Sequence, residues 1–105
     1  MPRLSAGSSG GDALSQIAVE CSAVDGGWLA CVTVTDDGSG REFEVAVSDA
    51  ELRRYASGAA DPAVLVRRSF EFLLAREPKE SILQAFGLSV IARYFPEYER
   101  EIRRR

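Results

Sequence analysis

From Ile17 the chain alternates: Ile17, Val19, Cys21 and Ala23 fall on one side, and Ala18, Glu20 and Ser22 on the other. That is the period of a half-buried strand. The same period returns at Ala30, Val32 and Val34, and again at Phe43, Val45 and Val47, with glycine-rich breaks at Asp25-Gly26-Gly27 and between Asp36 and Gly40. Both breaks read as hairpin turns, because a tight turn needs positive φ at positions that glycine fills without steric cost. A Gly26-Gly27 loop predicts Ala23 opposite Ala30, Cys21 opposite Val32 and Val19 opposite Val34; the second turn predicts Val34 opposite Phe43, Val32 opposite Val45 and Ala30 opposite Val47. This pairing gathers the inward apolar residues on one face, which a one-residue slip would turn to water. It sets Cys21 on the core face and Cys31 on the other, so no disulfide within the chain is expected; a three-residue loop would place the two thiols opposite each other. The other face, with Glu20, Leu29, Cys31, Thr33, Thr35, Glu42 and Glu44, is mixed and suits water.

After Val47 the period lengthens to that of helices. Ser48 and Glu51 have capping-box spacing, which predicts a short helix to about Tyr55. Asp61-Pro62 opens the main helix, with an oxygen acceptor at the cap and a proline where no amide partner is needed. Leu65, Val66, Ser69, Phe70, Phe72, Leu73 and Leu74 cover a wider arc than the ~100° stripe of a surface helix. Such a helix needs cover on two sides, the sheet on one and the C-terminal helices on the other. Pro78 is expected to stop it, and a second helix over Lys79–Phe86 to turn Ile82, Leu83 and Phe86 inward before a left-handed cap at Gly87. Ser89 then caps a third segment with a stripe of Ile91, Phe95, Tyr98 and Ile102, bent at Pro96. The fold class is therefore α+β: a three-stranded antiparallel β-meander followed by a mainly helical C-terminal half packed on one face.

A length of 105 residues allows one domain, and 46% hydrophobic content suffices for one modest core. Residues 1–15 are rich in Gly, Ser and Ala without periodicity and read as a flexible tail, leaving residues 16–105 as the domain. The N-terminus lacks the apolar core of a signal peptide, and no run approaches the ~20 apolar residues of a membrane span, so a cytoplasmic protein without membrane contact is expected. The net charge of −3 gives no overall pull towards nucleic acid, although the basic residues gather in the second half. With no histidine and two cysteines, every His-based mechanism and most zinc sites drop out; no metal or cofactor is expected, and no catalytic constellation emerges.

The candidate chemistry is correspondingly sparse. Lys79–Phe95 resembles a helix-turn-helix, with Gly87 in the turn and Ser89 and Arg93 as base readers, and Arg100, Arg103, Arg104 and Arg105 supply a basic end for phosphate contact. Arg93 stands where such motifs want an apolar residue, and Pro96 cuts the second helix short. The terminal arginines also interleave with Glu97, Glu99 and Glu101, the pattern of solvated pairs at a helix end. Charges in Arg76-Glu77-Pro78-Lys79-Glu80 read as an ion-pair knot at a helix junction, because the cations would hold both glutamates ionised. Asp36, Asp37 and Glu42 lack the ligand spacing of a calcium loop. Trp28, at a hairpin tip, either caps the core or anchors a contact.

The runs FEFLLAREPKESIL and LSVIARYFPEYEREI resemble those of a family of small high-GC bacterial proteins in which a β-hairpin region precedes the same helical signature, over roughly Val32 to Ile102. No activity is attached to that family, so the resemblance bears on the domain boundary alone. The leading functional expectation is a non-enzymatic interaction or regulatory module, pairing with itself as a homodimer or with another protein. Its contact residues would be Trp28, Leu29, Cys31 and Thr33, on a sheet edge or the mixed outer face. The alternative is a nucleic-acid-binding regulator using the helix-turn-helix and the basic end.

Overall fold

In the computed structural model, which describes residues 16–36, 38–56 and 61–104, strands β1 (Gln16–Val24), β2 (Gly27–Asp36) and β3 (Ser39–Ser48) form an antiparallel meander. Helices α1 (Asp49–Tyr55) and α2 (Pro62–Leu74) follow. A 3-10 turn at Lys79–Ser81 leads to a fourth strand, β4 (Ala85–Gly87), and then to the short helices α3 (Val90–Tyr94) and α4 (Tyr98–Arg104). The sheet order is β1-β2-β3-β4, with β4 parallel to β3. The expected tail over residues 1–15 lies outside the described residues, as do Asp37, residues 57–60, the side chain of Arg104, and Arg105.

The meander keeps the faces read from the sequence but shifts both registers by two residues. The first turn is Asp25-Gly26, not Gly26-Gly27: Val24 pairs with Gly27, Cys21 with Ala30 and Val19 with Val32. Gly26 takes the positive φ, at 80°. Gly27 is spent differently, since a Cβ there would sit 2.0 Å from the Val47 carbonyl oxygen of β3. Close approach of a third strand therefore claims the second glycine and moves the turn back by one. The second turn is likewise tighter than expected, with Asp36 opposite Ser39 and Gly38 at φ 79°. Val32 consequently meets Phe43, Ala30 meets Val45, and Val34 meets Arg41. A two-residue shift preserves parity, so the inward set survives: Ala30, Val32, Val34, Phe43, Val45 and Val47 are all buried.

The helix starts follow local chemistry. The Ser48 hydroxyl accepts from the Glu51 amide, and the Glu51 carboxylate accepts from the Ser48 amide, a complete capping box. Asp61 accepts from the Ala63 amide ahead of Pro62. The α2 helix ends at Leu74, four residues before Pro78, where the Arg76 and Glu77 amides both turn back to the Leu73 carbonyl. The helix expected over Lys79–Phe86 does not form. Its first turn is 3-10, the chain is extended by Ile82, and β4 adds to the sheet instead; Leu83 points outward and is 51% exposed. Gly87 is a strand residue without positive φ, and Ser89 makes no cap bond. The Ser89 hydroxyl and amide go instead to the Glu51 carboxylate, so one residue caps α1 and tethers the start of α3. Burial opposes ionisation of Glu51, but these hydrogen bonds outweigh it and hold the carboxyl below its ordinary pKa.

The α2 helix is the wall between sheet and C-terminal segment that its wide apolar arc demanded. Phe70 packs on Phe43 and Phe86, with ring centroids 5.1 and 6.2 Å apart. Phe72 meets Phe95 and Tyr98 edge-on at 5.8 and 5.3 Å. Each such aromatic pair adds about 0.5–1.5 kcal/mol beyond area burial. The break at Pro96 separates α3 from α4 as expected, and Ile91, Tyr98 and Ile102 are buried.

Candidate functional site

With the helices gathered on the inner face, the outer face of the sheet is left open. Its cross-strand rows run Ala18–Thr33–Glu42, Glu20–Cys31–Glu44 and Ser22–Leu29–Ala46. Leu29, Cys31 and Thr33 therefore lie side by side on this face as the alternation requires; Cys31 is exposed and the other two are half-buried. The strand positions of the face carry Glu20, Glu42 and Glu44 and no cation, so it is acidic around Cys31 and apolar towards Leu29 and Ala46. Trp28 is not part of it. Paired with Ala23 and Val47, it points inward and packs half-buried against the core.

Both cysteines are free thiols on opposite faces. Burial, with Asp61 and Cys31 nearby, pushes the Cys21 thiol above its ordinary pKa, which leaves it a small hydrophobe at neutral pH.

The two edges of the sheet differ. On one side β4 covers the middle of β3: the Glu44 amide donates to the Gln84 carbonyl at 2.7 Å, and the Leu88 amide to the Ala46 carbonyl at 3.0 Å. On the other side β1 runs for nine residues in unbroken register with β2, and no described strand pairs with its far edge. It carries one charge, Glu20, no proline and no bulge, the devices by which edges are usually kept from pairing. Its inward residues Ile17, Val19 and Cys21 are only half-buried, while their β2 neighbours Val34, Val32 and Ala30 are sealed.

A second feature, unforeseen in the sequence, is an apolar cleft of about 270 Å³ between the end of α2, the 81–86 segment and α3. Leu73, Ile82, Phe86 and Phe95 line it, with exposed Leu83 and Tyr94 at its rim and Glu77 beside it. It falls below the ~300–1,000 Å³ usual for small-molecule pockets.

The charged junction at residues 76–80 reaches outward more than it closes on itself. Lys79, 5% exposed, donates to Asp36 at 2.5 Å and to Glu80 at 2.9 Å, pinning the 3-10 turn to the end of β2. The hydrogen bond to Asp36, then that to Glu80, raise its pKa. Arg76 lies 3.7 Å above the Phe72 ring and pairs with Glu97. Of the basic residues at the C-terminus, Arg103 shares Glu99 with Arg54 of α1, Arg93 and Arg100 are exposed, and Arg104 and Arg105 lie beyond the described side chains. The helix-turn-helix arrangement is absent, because β4 occupies the place of its first helix. Among the described residues no three metal-ligating side chains converge, and no helix is long and apolar enough to cross a membrane. No protein-family model, curated protein or solved structure matches the chain, so the functional reading rests on this geometry.

Proposed function

We propose that the protein is a non-enzymatic, cytoplasmic protein-interaction module that binds through its sheet, by the open β1 edge and the adjoining outer face with Leu29, Cys31 and Thr33. The observation that carries this reading is the edge itself: nine residues of regular strand with one charge, above half-covered apolar side chains. Unpaired strand backbone of this kind binds a further strand through main-chain hydrogen bonds, with the alternate side chains setting specificity. The shifted carboxylates fit the same reading. Glu51 and Glu99 are lowered by hydrogen bonds that cap a helix or tie elements together, Glu97 by its own backbone amide and then by Arg76, and Glu80 by the neighbouring Lys79, a structural use of charge.

The test is gel filtration of an untouched lysate of the native cell with immunodetection. The protein is expected in a species larger than its 11.4 kDa chain, and Val19→Pro, which removes an amide that points away from β2 and so blunts the edge, is expected to shift it to the monomer position. Elution of the native protein as a monomer would remove the proposal.

A further inference from the structure

We propose that the occupant of the β1 edge is a second copy of this chain, paired antiparallel about a two-fold axis in the register that sets Val19 opposite the second copy's Val19. The inference rests on the interaction-module reading and deepens it.

The backbone decides which residues are available. A two-residue hairpin closes on a hydrogen-bonded pair, here Val24 with Gly27, so Gln16, Ala18, Glu20, Ser22 and Val24 exchange bonds with β2. The amides and carbonyls of Ile17, Val19, Cys21 and Ala23 therefore point away from the sheet. These are also the residues whose side chains face inward, where Ile17, Val19 and Cys21 are half-covered beside fully buried β2 neighbours. A strand added at this edge satisfies the backbone and completes the apolar layer together.

Symmetry and charge then select the register. Odd residues must face odd residues across the seam, which leaves three arrangements near the centre of the strand. With Val19 opposite Cys21, Glu20 faces the second copy's Glu20, and like charges directly opposed are destabilising. With Cys21 opposite Cys21, Ile17 runs past the end of the paired stretch. With Val19 opposite Val19, Ile17 meets Cys21, and Glu20 meets Ala18 and faces no charge. Only this third arrangement uses all three half-covered side chains without opposing the carboxylates.

Closure argues for a second copy over a foreign strand. Joining two β1 edges gives an eight-stranded sheet whose remaining edges are both of the β3–β4 kind, short and already covered in the middle. A foreign strand would leave its own far edge open.

The experiment is light scattering of the purified full-length chain across a concentration range, for the wild type and for variants at Ala18, which is exposed on the outer face. The wild type is expected at twice the 11.4 kDa chain mass. Ala18→Glu sets two like-charge pairs across the seam and is expected to weaken the dimer about tenfold. Adding Glu20→Lys to it reverses the loss and tightens the dimer beyond the wild type, as does Ala18→Lys alone, because each sets two pairs of opposite charges face to face. A monomer at every concentration overturns the second-copy proposal, and a dimer indifferent to all three variants overturns the edge and its register. In either case the size of the native species in lysate still decides the broader reading separately.

Discussion

Ser69 is the polar residue inside the apolar arc of α2, and it is wholly buried. Its hydroxyl donates to the Leu65 carbonyl at 2.8 Å and lies 2.6 Å from the hydroxyl of Tyr98, itself wholly buried. With the serine proton committed to Leu65, the tyrosine is the donor between the two. Burial pushes the Tyr98 pKa well up, against the hydrogen bond to Ser69, which keeps that proton in place. The two deletions should therefore differ. Tyr98→Phe removes a donor whose acceptor keeps its own bond to Leu65, and is expected to cost about 1 kcal/mol. Ser69→Ala strands a buried phenol and should cost more, ~1–3 kcal/mol. Urea midpoints with unchanged slope measure both; equal losses would show that Tyr98 finds another acceptor. The sequence placed Ser69 and Tyr98 on their buried faces because helical spacing carries that information, but it could not join residues 29 apart. Glu51 shows the same division: its capping role is local and legible, while its grip on Ser89, 38 residues away, depends on the fold.

At the scale of elements, parity was legible and register was not. Alternation fixes which side of a strand is apolar, and a two-residue shift leaves that unchanged, so Val32 is buried whether it meets Val45 or Phe43. Register depends on the choice of turn, and Asp25-Gly26 and Gly26-Gly27 are both good turn chemistry. What separates them is the arrival of β3 beside Gly27. The two glycines should accordingly respond differently to alanine. Gly26 has open space around its missing Cβ and needs only its φ of 80°, a cost of ~1–2 kcal/mol for an L residue. At Gly27 the new carbon would strike β3 backbone at 2.0 Å, which must part the strands; a loss at the upper end of the ~1–3 kcal/mol of overpacking, or beyond it, is expected. Thermal unfolding of Gly26→Ala and Gly27→Ala gives the comparison, and a Gly27→Ala protein as stable as Gly26→Ala would mean that the strand approach is looser than described. β4 was missed for a different reason. Three residues, Ala85-Phe86-Gly87, hold too little alternation to register as a strand, and Ile82, Leu83 and Phe86 happen to fall at helical spacing.

At the scale of the whole molecule, the wide arc of α2 raises the question of whether its two sides fold together. Phe70 belongs to the sheet side, against Phe43 and Phe86, and Phe72 to the C-terminal side, against Phe95 and Tyr98. Both are fully buried, so truncation of either to alanine is expected to cost ~3–5 kcal/mol. Several ties bridge the layers. Arg54 of α1 holds Glu99 of α4 at 3.0 Å, Lys79 holds Asp36 of β2, and the Glu51 carboxylate holds Ser89. With so many links across one helix, opening the C-terminal layer alone would strip α2 of half its cover and break each of these ties. The layers should therefore unfold as one cooperative unit. Trp28, half-buried on the sheet side, is the only tryptophan and reports the sheet, while far-UV circular dichroism is dominated by the helices. In Phe72→Ala, the tryptophan and dichroism transitions should move together to lower denaturant by the same amount, although Phe72 contacts no ring of the sheet. A dichroism transition that moves while the tryptophan transition stays would mean that the C-terminal layer comes away by itself, and that α2 belongs to the sheet alone.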